Sequence, residues 1–159
     1  AKEKLFFRRV GQGLVAAFDD QQYYALNTLV VVTPKRPDAN LKFILGVMNS
    51  RLMNYYVAAF LKSTKKVFSE IQARQMAQLP IRRINLDDPQ EYQQHTAIVA
   101  LVDEMLQLQK DYFQAKEAKQ DRRHALKRRI DEVDAAIDQA VYSLYGLTAK
   151  ETQLVEGAT

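Results

Sequence analysis

Two apolar stripes in the C-terminal half constrain the fold of this chain more than any other feature. In the first stripe, apolar residues recur at alternating steps of three and four, at Ile98, Leu101, Met105, Leu108, Tyr112 and Ala115. The second stripe has the same spacing, at Leu126, Ile130, Val133, Ile137, Ala140 and Leu144. Such heptad spacing is typical of long amphipathic helices that pack against another helix.

The segment between the stripes, "KEAKQDRRH", interrupts the apolar spacing and shifts its phase by one residue. Two interpretations are open: one long helix that needs a partner chain, or an antiparallel helical hairpin with its tip near residues 116–121. We favour the hairpin, because it supplies its own partner. Gly146 is a suitable residue to end the second helix. "TAKE", Thr148 to Glu151, matches a capping box and predicts a short last helix.

The N-terminal half has a different pattern. "KLFFRRV", "LVAAFD" and "TLVVVTP" predict three strands, and "GQG" at Gly11 to Gly13 predicts a turn. The turn lacks the third glycine and the following helix of a dinucleotide-binding fingerprint. "LKFILGVMNSRLMNYYVAAFLK" predicts two helices that meet near Ser50, which can cap the second. Leu52, Tyr55, Tyr56 and Ala59 are expected on one side of that helix.

These patterns predict an α+β fold. A small β-sheet with packed helices is followed by an antiparallel, coiled-coil-like helical hairpin and a short C-terminal helix. The polar linker "NLDDPQEY" separates the two expected domains, residues 1–84 and 85–159. Because the chain begins with strand character and without Met, we expect it to be a piece of a longer protein.

The composition is that of a globular chain, with 47% hydrophobic and 26% charged residues. Cysteine is absent, which excludes disulfides and thiolate zinc sites and fits a reducing, cytoplasmic setting. No apolar stretch approaches the roughly 20 residues of a membrane span, and the first residues do not resemble a signal peptide. We therefore expect no membrane partner.

The charge is unevenly distributed along the chain. Residues 1–83 contain 14 Lys and Arg against 5 acidic residues, a net charge of +9. Residues 84–159 contain 9 Lys and Arg against 14 acidic residues, a net charge of −5. This asymmetry indicates that the first half contacts a polyanion. The negative charge of the second half argues against that half lying on the same polyanion.

The candidate DNA-binding residues are basic or polar side chains of the first half. They are Arg8, Arg9, Lys35, Arg36, Arg51, Lys62, Ser63, Thr64, Lys65, Lys66, Arg74 and Gln75. Lys and Arg pair with phosphates, Ser and Thr hydroxyls fix the register on a duplex, and Arg or Gln can read base edges. A solvated surface explains any single one of these clusters, but several clusters with few acids favour a basic face. The tyrosine pairs Tyr23–Tyr24 and Tyr55–Tyr56 can stack on bases, but their spacing is more typical of core residues.

Residue patterns for catalysis are scarce. His95 and His124 are far apart among polar neighbours, and Asp87–Asp88 lies in a proline-containing linker. The chain has no P-loop, no metal-spaced histidine set and no nucleophile elbow. We expect this chain to have no catalytic residues, no metal and no cofactor of its own.

The order of the motifs resembles a known family. "KLFFRRVGQGLVAAFDDQQYYALNTLVVVTP", "LKFILGVMNSRLMNYYV" and "FSEIQARQMAQLPI" are similar to the TaqI-like C-terminal specificity domain. That domain is the target-recognition part of adenine-specific DNA methyltransferases, including type IIG restriction–modification enzymes of bacteria. The tail "RRIDEVDAAIDQAVYSLYGLTAKETQLVEG" resembles the helical ending of these enzymes and the spacer helices of type I specificity subunits. This resemblance implies that the acidic second half is a spacer or docking arm.

The resemblance implies sequence-specific recognition of double-stranded DNA on behalf of a methyltransferase domain in the same polypeptide. That domain would hold S-adenosylmethionine and the Asn/Asp-Pro-Pro-Tyr/Phe motif that methylates a flipped-out adenine. In this chain "DDPQ" departs from that motif at its third and fourth positions. Two alternatives remain: a coiled-coil dimerisation or docking module, with a homodimer formed through the hairpin, and an RNA-binding module.

Overall fold

The computed structural model describes residues 2–11, 13–61 and 71–157. The chain forms two compact units, Ala1–Arg83 with Thr148–Thr159, and Ile84–Leu147. The division into two domains, residues 1–84 and 85–159, stays a prediction.

Three short strands form one antiparallel sheet in the first unit. They are β1 (Lys4–Arg8), β2 (Ala16–Asp19) and β3 (Leu29–Val32), in the order β2-β1-β3. Leu5 and Phe7 of the central strand are fully buried, whereas Arg8 is exposed. This alternation follows from the two-residue period of a strand, which turns Leu5 and Phe7 to the same face. The three strands predicted from the sequence are confirmed.

Two helices pack beside the sheet. Helix α1 (Leu41–Asn49) contacts β1 and β2, and helix α2 (Arg51–Tyr56) continues into a π-helical turn, Val57–Leu61. Ser50 separates the helices: its Oγ donates to the carbonyl of Val47 at 2.6 Å and accepts from the N–H of Met53 at 3.2 Å. The predicted cap is therefore confirmed. A short helix α3 (Ala73–Met76) completes this part of the unit.

The buried residues of α2 differ from those on the side that the apolar spacing suggested. Met53 and Val57 are the buried residues, Leu52 and the two tyrosines are only partly buried, and Ala59 is exposed. Asn54 of the same helix binds the backbone at Leu14, ahead of β2. This tertiary hydrogen bond orients the helix, and apolar spacing alone cannot reveal it.

One ion pair ties the outer strand β2 to the central strand. Lys4 and Asp19 are cross-strand partners, and Lys4 Nζ lies 2.8 Å from Asp19 Oδ2 in a nearly buried pair. Burial raises the pKa of Asp19, but the Lys4 ammonium and the N–H of Gln21 lower it by more. The net effect is a pKa below the ordinary value for aspartate.

This lowered pKa predicts a stability that depends on pH. The contribution of Asp19 is present above the unfolded pKa of about 3.9 and is lost as pH falls through the lower folded value. Asp19→Asn is expected to lower the urea midpoint near neutral pH, and the difference from wild type should shrink as the solution becomes acidic. Asp20→Asn, at the exposed neighbour, is the control. An equal shift in both variants would contradict a specific role for the Lys4–Asp19 pair.

The second unit is an antiparallel helical hairpin. Helix α4 (Pro89–Glu117) and helix α5 (Arg122–Tyr145) pack along each other and are joined by a short turn. Ile98, Ile130, Val133 and Ile137 are buried between or beside them. Arg129 bridges to Glu104 across the pair, with Nη2 at 2.7 Å from Oε1. The hairpin is confirmed over the single long helix.

The turn explains the interruption between the two apolar stripes. Lys119 has φ of 53°, in the left-handed region, and Gln120 donates its N–H to the Ala115 carbonyl at 2.8 Å. The chain reverses here without a glycine, so no strong breaker marked the position in the sequence.

The short last helix α6 (Ala149–Gly157) belongs to the first unit, where it contacts α2. Thr148 begins it: its N–H and Oγ1 each donate to Glu151 Oε2 at 2.8 Å, and the Glu151 N–H returns to Oγ1 at 3.3 Å. The N–H and hydroxyl of Thr148 lower the pKa of Glu151. The predicted capping box is confirmed, and so is the α+β fold as a whole.

Candidate DNA-binding surface

The register of the sheet decides which of the predicted cations lie together. β1 pairs antiparallel with β3, with Leu5 opposite Val32 and Arg8 opposite Leu29. The start of β3 therefore lies at the Arg8 end of the sheet, and the end of β3 lies about 10 Å away at the other end. Lys35 and Arg36 follow β3, so the structure separates their strand end from that of Arg8 and Arg9.

Arg9 joins three segments at the end of β1. Its N–H donates to the Thr28 carbonyl at 3.2 Å, and its carbonyl accepts from the Ile71 N–H at 2.9 Å. Its guanidinium Nη1 donates to the Asn27 carbonyl at 3.0 Å. The turn before β3 and the segment before α3 are thereby held at this end of the sheet. Exposed Arg74 follows Ile71 by three residues.

Two asparagines attach the α1–α2 junction to the same end. Asn49 both accepts from the Ala16 N–H at 2.8 Å and donates to the Ala16 carbonyl at 3.0 Å. Asn54 Oδ1 accepts from the Leu14 N–H at 2.6 Å. Exposed Arg51 lies in the chain between these two anchors. We call the group Arg8, Arg9, Arg51 and Arg74 the arginine end.

Sequence reasoning missed the anchoring role of Asn49 and Asn54. A signal was present, because asparagine competes with backbone hydrogen bonding and is unfavourable inside helices. The two asparagines in "MNSRLMNYY" therefore indicated a role other than helix formation. Their amides bind backbone groups of Leu14, just before β2, and of Ala16, in β2. Since β2 is an edge strand, these groups have no neighbouring strand of the sheet to pair with on the outer side.

The remaining predicted residues differ in whether their side chains already take part in hydrogen bonds within the chain. Arg36 is committed to Asp38, with Nε 3.0 Å from Oδ1, and this bond lowers the pKa of Asp38. Gln75 is committed as well: Oε1 accepts from the Gln72 N–H at 2.9 Å and Nε2 donates to the Leu61 carbonyl at 2.8 Å. A base contact by Gln75 would require it to release both bonds. Lys62, Ser63, Thr64, Lys65 and Lys66 lie outside the described residues.

An exposed apolar group lies on the loop between β2 and β3. Tyr24 is 100% exposed, Leu26 is 80% exposed and Tyr23 is 67% exposed. The interpretation of this tyrosine pair as core residues is wrong. Since Arg9 binds the carbonyl of Asn27 in the same loop, these side chains belong to a loop tied to the arginine end. Exposed aromatic groups beside cations are a common feature of nucleic-acid interfaces.

The described part of the chain contains no candidate metal centre. Within residues 2–11, 13–61 and 71–157, no cluster of three His, Asp or Glu side chains is arranged to hold a metal ion. His124 is exposed, and His95 is partly buried, which lowers its pKa. No described helix has the length and apolar character needed to cross a membrane.

The first unit is a compact α+β module with arginines at one end of its small sheet. The model of one protein family, described as the TaqI-like C-terminal specificity domain, matches residues 1–81. The chain belongs to this family, and its residues 1–81 form a C-terminal specificity domain of restriction–modification enzymes, a class that binds DNA. No curated protein matches the chain.

Proposed function

We propose that this chain is the sequence-recognition part of an N6-adenine DNA methyltransferase of the type IIG restriction–modification class. The family membership of residues 1–81 is the observation that carries the proposal. In this proposal the chain performs no chemistry. A catalytic domain elsewhere in the same polypeptide binds S-adenosylmethionine and transfers the methyl group to a flipped-out adenine.

The arginine end supports duplex DNA as the ligand. Its four arginines come from the end of β1 and the residue after it, from α2 and from α3. The sheet register and the bonds of Arg9, Asn49 and Asn54 bring these segments together. Guanidinium groups bind phosphates through paired donors and can also read guanine in the major groove. Arg74 is exposed, and its side chain makes no interaction with another described residue. Of the four arginines it is therefore the best candidate to contact a base edge.

The hairpin supports a spacer function more than a dimerisation function. Ile130 and Ile137 of the second apolar stripe are buried in a single chain, in which α4 packs on α5. The stripes thus satisfy each other without a second copy. Replacement of either isoleucine by aspartate should therefore unfold the hairpin, because it buries a charge in the hairpin core. If the stripes instead paired between two chains, the same replacement would dissociate a dimer.

The test uses the full polypeptide that contains this chain, incubated with DNA and S-adenosylmethionine. We expect N6-methyladenine in one short sequence context and, for a type IIG enzyme, cleavage of unmethylated DNA at that context. Exchange of residues 1–83 for the matching part of another family member should change the context and retain methylation. Methylated cytosine, or an unchanged context after the exchange, would refute the proposal.

A further inference from the structure

The net negative charge of the second unit conceals a strong separation of charge along the hairpin. Residues 116–129, which form its tip, contain seven Lys and Arg and only two acidic residues, a net charge of +5. The rest of the unit, residues 84–115 and 130–147, contains one lysine and ten acidic residues, a net charge of −9. One end of the hairpin is therefore basic and the other strongly acidic.

Several cations of the tip have no acidic partner. Arg129 is paired with Glu104 and Glu132, Lys127 is paired with Asp131, and Arg122 donates to Gln120. Among the residues that the structure describes, the other four make no ion pair or hydrogen bond through their side chains: Lys116, Lys119, Arg123 and Arg128. All but Arg123 are exposed.

The fold concentrates these charges at one place. Lys116 belongs to the last turn of α4, Lys119 to the connecting turn, and Arg123 and Arg128 to the first two turns of α5. Helix α5 has 24 residues and is therefore about 36 Å long, which is the approximate distance between the tip and the other end of the hairpin. That length corresponds to roughly ten base pairs of duplex DNA, at about 3.4 Å per pair.

The tip has the composition of a phosphate-binding surface more than of a protein interface. No exposed large apolar side chain lies within residues 116–129 of the described structure. Protein interfaces are depleted in lysine at their centre and rely on buried aromatic or apolar anchors. Binding to a run of phosphates requires only flexible cationic side chains, and its affinity comes from the release of counterions.

We propose that the tip of the hairpin is a second DNA contact, which binds backbone phosphates outside the recognised sequence. It reads no base, so it goes beyond the recognition function of the first unit and does not depend on which sequence that unit selects. The acidic remainder of the hairpin repels the same phosphates, which confines the contact to the tip.

The test compares two variants of the whole chain with the same net charge. The tip variant carries Lys119→Asn, Arg123→Gln and Arg128→Gln; asparagine tolerates the left-handed backbone at residue 119. The control carries Gln93→Glu, Ala100→Glu and Ala135→Glu, at exposed positions nearer the acidic end. Both changes lower the formal net charge of +4 by three.

The probes are fluorescent random-sequence duplexes of about 12 and about 40 base pairs, titrated from about 50 to about 200 mM salt. On the longer duplex, the tip variant should bind at least tenfold more weakly, with a log–log salt slope reduced by about three. The control should change the dissociation constant less than threefold. Unchanged far-UV circular dichroism and melting establish that the tip variant is folded, and Arg128→Gln alone should give about a third of the slope change.

Three outcomes would overturn the proposal. They are equal weakening in the tip variant and the control, no weakening in either, and weakening for single-stranded RNA but not for duplex DNA. The two DNA contacts are tested by separate variants, because the tip variant leaves the arginine end unchanged and the arginine-end variants leave residues 116–129 unchanged. Failure of one contact therefore leaves the other testable.

Discussion

Replacement of Arg8 and Arg74 together by glutamine is expected to weaken binding to duplex DNA by roughly 50-fold at about 0.1 M salt. The two guanidinium groups come from β1 and α3, and the bond from the Ile71 N–H to the Arg9 carbonyl holds these segments at one end of the sheet. If each contacts one phosphate, the log–log salt slope should fall by about two. Fluorescence anisotropy over a salt series measures both quantities.

The opposite end of the sheet provides the matched control. Lys35→Gln with Arg36→Gln removes the same charge after β3, where Arg36 is already paired with Asp38. We expect less than a threefold change in affinity for this control. If the two double variants weaken binding equally, only the overall positive charge matters and the arginine end is not the DNA-binding surface.

Arg74 carries a second expectation. If its guanidinium also reads a base edge, Arg74→Gln alone should relax the preference at one base pair, by about 1–3 kcal/mol of discrimination. Binding selection from a library of random duplexes measures this preference directly. A uniform loss across all sequences would assign Arg74 to the phosphate backbone.

Gly13→Ala is expected to lower the free energy of unfolding by about 2–4 kcal/mol. Gly13 has φ of +75°, a left-handed conformation that costs an alanine about 1–2 kcal/mol. A Cβ at this position would also lie 2.8 Å from Asn54 Oδ1, the atom that accepts the Leu14 N–H at 2.6 Å. The alanine therefore strains the turn and displaces the Asn54 amide, which attaches α2 to Leu14 just ahead of β2.

Gly146→Ala separates the two contributions to that loss. Gly146 has φ of +67°, but no heavy atom beyond the glycine and its two chain neighbours lies within 4 Å of the position that an alanine Cβ would take. It therefore shares the backbone strain without the close contact. We expect a loss of only about 1–2 kcal/mol there. Urea unfolding followed by tyrosine fluorescence measures both, since the chain has eight tyrosines and no tryptophan. Equal losses in the two variants would show that Asn54 does not pack on Gly13.

Features that depend on neighbouring residues were readable from the sequence. Ser50 and the Thr148–Glu151 pair cap helices through bonds that span three residues, so the residue types at those spacings were sufficient. The apolar stripes likewise predicted long amphipathic helices, and their interruption favoured the hairpin over one long helix without deciding between them. The order of motifs in the first half also sufficed for the family resemblance that the match to residues 1–81 supports.

Only the tertiary structure decided which of the predicted cations meet. Arg8 and Lys35 look equivalent in the sequence, but antiparallel pairing of β1 with β3 directs them to opposite strand ends. Tyr24 has the residue type of a core position, yet its loop leaves it fully exposed. Helix caps and amphipathic faces are set within about four residues, whereas a surface is assembled from segments whose proximity depends on strand register and on long-range bonds such as Asn54 to Leu14.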